Sequence, residues 1–199
     1  MRFNIWKFKS FISQILCVLC EKQENHSLFI TIIHHSPMSY KIPAQTRIGH
    51  VHLKVSDLQK SLDFYVGLLG FEITTLYGSQ AAFISAGGYH HHIGLNTWHS
   101  LGGKPAPETA PGLYHTAILY PTRKDLAVAL QRLIDAGYPL SGAADHGVSE
   151  ALYLDDPDGN GVELYWDRPK GEWPSKPDGS LDMFTKRLDM DGLLKEVDN

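Results

Sequence analysis

Internal repetition limits this chain more than any other feature. The strand-like alternation Ile48-Gly49-His50-Val51-His52-Leu53-Lys54-Val55 runs into Ser56-Asp57-Leu58-Gln59, where Ser56 and Gln59 have capping-box spacing. A helix carried by Leu58, Leu62, Tyr65 and Leu69 follows, with Gly70 placed to stop it, and then β-rich runs at 71–77, 81–86 and 91–97. The same order returns downstream. Residues 113–120 form a strand, Thr122 and Asp125 cap a helix marked by Leu126, Leu130 and Leu133, and Gly137 ends it. Strands follow near 138–140, 151–154 and 162–166, the last two joined by Asp155-Asp156-Pro157-Asp158-Gly159-Asn160-Gly161. The pattern predicts an α+β fold of two βαβββ modules forming one cupped mixed sheet, module one at 46–98 and module two at 111–169. One helix cannot cover each sheet, so the halves are expected to join edge to edge around a concavity where ligands sit. The Gly/Pro-rich stretch between them is a linker, and residues 170–199 read as a C-terminal arm with a short helix from about Leu181 to Leu194.

Residues 1–37 stand apart: they hold both cysteines, Cys17 and Cys20, and join neither repeat. Arg2, Lys7 and Lys9 ahead of an apolar run suit a signal peptide, but no small-residue cleavage site follows and Glu21-Lys22 interrupts the run. The reading adopted is an extension, non-native or disordered, upstream of an initiator at Met38. Cys17 and Cys20 have the spacing of a zinc or redox half-site but lack a second pair. Without that segment the domain has no cysteine, which fits a reducing cytoplasm. With 199 residues, a formal charge of −4 and no long Lys/Arg run, the chain suits one domain and no nucleic-acid partner. No stretch is long and apolar enough to imply a membrane partner.

Two histidines hold equivalent places in the repeats, His50 and His115, each at the start of its module's first strand. Glu163 interrupts the apolar last strand of module two, where a carboxylate is costly unless paired or metal-bound, while Val162 and Leu164 point into the core. Two imidazoles and one carboxylate leave open positions on one face of a metal, an arrangement suited to Fe(II). Mn(II) fits as well, and Zn(II) accepts the same donors for hydrolysis. The corresponding strand of module one offers Gly94, so a fourth ligand is missing. His52 shares a face with His50 and reads as a neighbour or a core residue, and His99 falls in a loop. His90 to His92 could be a polar strand at the rim of the cup. Glu150 could pair with a base or face substrate. The Asp156-Pro-Asp-Gly-Asn-Gly run resembles part of a calcium loop but lacks the spaced terminal acid, so it reads as a turn.

At these residues the chain resembles the vicinal oxygen chelate superfamily, which includes glyoxalase I, bleomycin resistance proteins and type I extradiol dioxygenases. Gly49-His50-Val51, Ser56-Asp57-Leu58, Phe64-Tyr65 and Leu69-Gly70-Phe71 look like the general module signature. Residues 89–98, Gly112-Leu113-Tyr114-His115, 145–154 and 156–167 look like the catechol 2,3-dioxygenase branch labelled CatE-like. The resemblance implies a metal held by His50, His115 and Glu163, an acid–base histidine at His91 or, one residue on, His92, and His146 and Tyr153 beside the substrate. It implies a small aromatic substrate of the catechol class and O2 as partners. His91 would take a catechol proton and return it later, and Tyr153 would hydrogen-bond the substrate oxygen. Typical relatives have four modules where this chain has two. A glyoxalase-like lyase or isomerase would want a donor near Gly94, and a non-catalytic binder of aromatic compounds would need no metal. A homodimer is also compatible with the linker.

Overall fold

The computed structural model describes residues 40–107 and 109–198, so the expectations for residues 1–37 fall outside the described residues. The chain divides into two units, Met1–Thr46 and Arg47–Asn199. Of the first, residues 40–46 are described, and they hold a turn closed by the Thr46 N–H on the Pro43 carbonyl at 2.9 Å.

In the second unit the repeat is realised strand for strand. Module one contains β1 (Val51–Lys54), α1 (Leu58–Leu62), β2 (Glu72–Tyr77), β3 (Ala81–Ser85) and β4 (Ile93–Asn96). Module two contains β5 (His115–Leu119), α2 (Arg123–Asp135), β6 (Gly142–Asp145), β7 (Ser149–Asp155) and β8 (Gly161–Asp167). The arm adds β9 (Lys186–Arg187) and α3 (Met190–Leu194). The strand orders are β1-β4-β3-β2 and β5-β8-β7-β6-β9, with the first and last strands of each repeat parallel. No ladder joins the two sheets among the described residues, so the expected edge-to-edge union is not made by strand pairing. The segment leading into β1, β5 and the start of β4 instead line a cavity of about 680 Å³ between the modules.

Local chemistry explains most boundaries and three departures. Thr122 caps α2 as its sequence predicts, accepting the Asp125 N–H at 3.1 Å, and Gly70 and Gly137 end the helical segments at φ +87° and +62°. In module one the cap is Asp57, which accepts from the Gln59 and Lys60 amides, rather than Ser56. The Ser56 N–H is taken by Asp158 Oδ2 at 3.0 Å, from the other module. Beyond Leu62 the helix widens over Asp63–Leu68, the Leu69 N–H reaching back to the Phe64 carbonyl at 2.9 Å. Consecutive Phe64 and Tyr65 are both buried there, at 3% and 1% exposure.

The strand expected near 138–140 begins at Gly142 instead. Pro139 has no N–H to give a ladder, and Tyr138 packs on Phe64 with its hydroxyl donating to the Asp155 carbonyl at 2.7 Å. The helix expected from Leu181 is confined to Met190–Leu194, because the preceding arm is extended and closes the edge of β6 through β9. A single core takes Leu53, Ile84 and Leu95 from module one, Leu130, Leu152 and Leu164 from module two, and Leu188 and Leu193 from the arm.

One buried carboxylate joins the modules. Asp156, 4% exposed, accepts the N–H groups of Asp158 and Asn160, the Asn160 side-chain amide, and at 3.1 Å the Tyr65 hydroxyl from module one. Burial and the Asp156 charge push the Tyr65 phenol well above the ordinary tyrosine range, so it stays a donor. Removing the carboxylate strands four donors. Asp156→Ala is expected to lower unfolding free energy by about 2–4 kcal/mol, and Tyr65→Phe by about 1 kcal/mol. Urea unfolding of both variants checks the order of the two losses.

Candidate functional site

The concave face of module two is set by strand registry. β8 pairs with β7 so that Glu163 lies opposite Tyr153, and with β5 so that Gly161 lies opposite His115. Alternation sends Val162 and Leu164 into the core, at 1% and 0% exposure, and leaves Glu163 on the open face. The carboxylate is fully engaged there. Glu163 Oε2 lies 2.9 Å from His115 Nε2, and Oε1 accepts the Tyr153 hydroxyl at 3.1 Å. That hydroxyl is also 2.7 Å from His146 Nε2. His115, Glu163, Tyr153 and His146 therefore form one hydrogen-bonded line. Burial and the neighbouring Glu163 push the Tyr153 phenol up to about 12, so it is protonated across the ordinary pH range. His115 Nδ1 is buried with no hydrogen-bond partner among the described residues, leaving Nε2 as the nitrogen that faces the site.

The donors of module one stand apart from this line. His50 is exposed just ahead of β1, its ring 4.4 Å from that of His91. His91 lies before β4 rather than in it, with Nδ1 2.7 Å from His90 Nδ1 and an edge contact to Phe83. Partial desolvation, followed by the imidazoles of His50, His90, His52 and His92, holds His91 below the usual histidine range. His92 turns back onto β3, its Nδ1 receiving the Ala86 N–H at 3.3 Å and lying 3.0 Å from the Ser85 hydroxyl. His52 stacks near Phe83 and Trp98 and lies over Gly94, where an added Cβ would come within 2.9 Å of its ring. The space beside Gly94 is thus filled by the His52 ring.

His50, His92 and His115 line the cavity of about 680 Å³ between the modules. His115, Tyr153 and His146 line a second cavity of about 570 Å³, together with Ser141, Tyr114 and Thr185. Among the described residues no group of three or more His, Cys, Asp and Glu side chains is arranged to hold an ion. His115 and Glu163 do fit one in kind and spacing. Two ligand atoms at about 2.0–2.2 Å from one ion and near a right angle lie about 3 Å apart, close to the 2.9 Å found. His50 faces them across a cavity and makes no bond to either.

Several connections were not evident from sequence. Glu150, left open there, is 5% exposed and pairs with Arg123 and Arg168, each at 2.8 Å, so it is a structural ion-pair residue. Arg168 also holds Asp145, and Arg123 holds Glu196 of the arm. Phe184 and Thr185, which touch His146, carried no signal at all, since an extended arm has no periodicity that announces its partner.

The profile of the Glyoxalase/Bleomycin resistance protein/Dioxygenase superfamily matches residues 47–164. Catechol-2,3-dioxygenase of Bacillus subtilis (strain 168) is 42% identical over 157 residues, which cover 78% of this chain and 54% of that protein. Biphenyl-2,3-diol 1,2-dioxygenase 3 of Rhodococcus globerulus is 34% identical over 125 residues, 61% of this chain and 63% of its own length. The chain therefore spans about half to just under two thirds of these relatives. Among solved structures, a glyoxalase/dioxygenase from Nostoc punctiforme aligns with TM-score 0.54 at 20% identity, covering 66% of this chain and 98% of that one. A glyoxylase/bleomycin resistance protein/dioxygenase domain from Frankia sp. EAN1pec aligns with TM-score 0.51 at 27% identity, covering 62% and 98%. The repeated βαβββ topology and the extent of the profile match together place this chain in the glyoxalase/bleomycin resistance protein/dioxygenase superfamily.

Proposed function

We propose that the protein is a metal-dependent extradiol dioxygenase that cleaves a catechol-type aromatic ring with O2. His50, His115 and Glu163 would hold the ion, Fe(II) in preference to Mn(II) or Zn(II). The observation that carries this reading is the line His115–Glu163–Tyr153–His146 on one open face, in a chain similar to proteins named catechol-2,3-dioxygenase and biphenyl-2,3-diol 1,2-dioxygenase. A bound ion of this type supplies a Lewis-acid centre with open positions for substrate and O2. The remaining work belongs to side chains. The Tyr153 phenol, held protonated, donates to a substrate oxygen, and His146 behind it orients that phenol. His91, neutral at pH 7, takes a proton from the diol and gives it back later in the reaction. Both cavities lie in the size range of small-molecule sites. A glyoxalase-like reading is weaker because Gly94, at the position from which a fourth donor would come, has no side chain to give one.

Anaerobic purification, Fe(II) reconstitution and O2-uptake and absorbance assays on a panel of catechols test the proposal. One iron per chain and a yellow ring-fission product are expected. Both should be lost in His115→Ala and Glu163→Ala, with activity down by about a hundredfold or more. A chelator should abolish turnover and added Fe(II) restore it. Metal bound without O2 consumption would sink the dioxygenase reading, and a wild type that binds no metal would sink the ligand assignment.

Tyr153 gives a further check. Its raised phenol value means that the folded chain keeps this proton beyond pH 10, so its contribution to stability is present below about 10 and is lost as pH rises through about 12. In the metal-free protein, the phenolate absorbance difference between wild type and Tyr153→Phe should have its midpoint near 12. A midpoint at 10 would show that Glu163 does not hold the phenol. In the reconstituted enzyme, Tyr153→Phe is expected to lower kcat by about 10- to 100-fold with a smaller change in KM.

A further inference from the structure

The C-terminal arm reaches the candidate site at one point. β9 pairs with β6 at Ala144 and Asp145, and Leu188 and Leu193 are buried behind it, so the arm is anchored immediately C-terminal to this contact. Just ahead of β9, the Phe184 backbone meets His146 twice. The Phe184 N–H donates to the His146 carbonyl at 3.3 Å, and His146 Nδ1 lies 3.1 Å from the Phe184 carbonyl. Thr185 Oγ1 is 3.3 Å from the same nitrogen. The Phe184 ring sits directly on the backbone next to His146: a Cβ on Gly147 would lie 2.6 Å from that ring and 2.9 Å from Pro174. The Lys186 ammonium lies 4.2 Å over the other part of this clamp, the ring centroid of Phe184.

A carbonyl oxygen only accepts, so the hydrogen of this bond belongs to Nδ1. The other nitrogen, Nε2, then carries a lone pair toward the Tyr153 hydroxyl 2.7 Å away whenever the ring is neutral, so His146 Nε2 and Glu163 Oε1, 3.1 Å from the same hydroxyl, compete for its one proton. With the opposite tautomer, Nε2 would point a proton at Tyr153 and the Phe184 carbonyl would face a second lone pair. We propose that Phe184 is a positioning residue whose carbonyl locks His146 in the Nδ1-protonated tautomer, making the arm part of the apparatus that directs the Tyr153 proton. The catalytic consequence rests on the dioxygenase reading, whereas the tautomer itself does not.

Long-range ¹H–¹⁵N correlation spectra of the metal-free, ¹⁵N-labelled full chain at pH 8 read the tautomer directly, with His146→Gln identifying the signals. The expected result is an Nδ1–H ring in the wild type. Phe184→Gly, which loosens the backbone at the clamp, is expected to move His146 toward the Nε2–H form while near-ultraviolet circular dichroism shows a folded chain. In the Fe(II)-loaded protein the same variant should lower kcat about tenfold at nearly constant KM and displace the pH profile. An Nε2–H ring in the wild type overturns the proposal without need of any variant, and a folded Phe184→Gly chain that keeps Nδ1–H overturns the assignment to Phe184. A wild type that shows Nδ1–H and no O2 uptake would support the lock while sinking the dioxygenase reading.

Discussion

The carboxylate of Asp156 is the constraint on which the rest of the structure depends. Burying an ionised group costs several kcal/mol unless its lone pairs are occupied, and here four donors occupy them. Three come from its own turn and fix the tight connection between β7 and β8. The fourth is Tyr65, from the widened helical turn of module one, so the same charge that shapes one module's hairpin docks the other module's helix. Two residues along, Asp158 repeats the tie by accepting the Ser56 amide. Arg132 adds a third, giving its guanidinium to the carbonyls of Gly67 and Leu68.

What the turn fixes, the open face inherits. A one-residue slip of β8 against β7 would turn Glu163 into the core and Val162 out of it, so the buried pattern and the turn enforce a single register. In that register Tyr153 and Glu163 are directly opposed, and the parallel neighbour β5 brings His115 alongside. The Arg123–Glu150–Arg168–Asp145 network lies behind this face and, with Glu196 on Arg123, ties α2, β6, β7 and the arm into one frame. Glu150 gains from two guanidinium groups what a lone buried carboxylate would lack. Chemistry on the cup is therefore held by polar groups outside the cup.

Features written in local periodicity were legible in the sequence. Both modules, the Thr122 cap, the helix-ending glycines and the outward direction of Glu163 follow from spacing alone, because each depends on neighbours within a few residues. Ser56 shows where that logic stops. It has the correct spacing for a cap, yet its amide is claimed by Asp158 from 102 residues away. Asp156 read as an ordinary turn residue for the same reason, since nothing near it in the chain reveals Tyr65. Residues 138–140 have a strand's composition, but Tyr138 gains more by packing on Phe64 and bonding the Asp155 carbonyl. The repeat puts His50 at the start of the first strand, whereas it lies just ahead of β1, on one wall of the cavity between the modules. The separation of that wall from β5 is set by packing between modules, which has no local signature.

The two repeats have diverged in how firmly they hold their donors. Module two covers the outer edge of β6 with β9 and sets His115, Glu163, Tyr153 and His146 at hydrogen-bond distances. Module one leaves β2 exposed along its whole length, and its histidines lie against one another at the rim. For the proposed centre this divides the ligand set into a formed pair and one imidazole on the lead-in to β1. Ordering one exposed side chain costs on the order of 1 kcal/mol, which binding of the ion must exceed for His50 to join the pair. Because β1 pairs only with β4 among the described residues, its other edge would have no ladder to break if His50 moved toward the pair. In the proposed centre, selection of the ion would fall to the His115–Glu163 pair, and coupling of the ion to the position of module one would fall to His50.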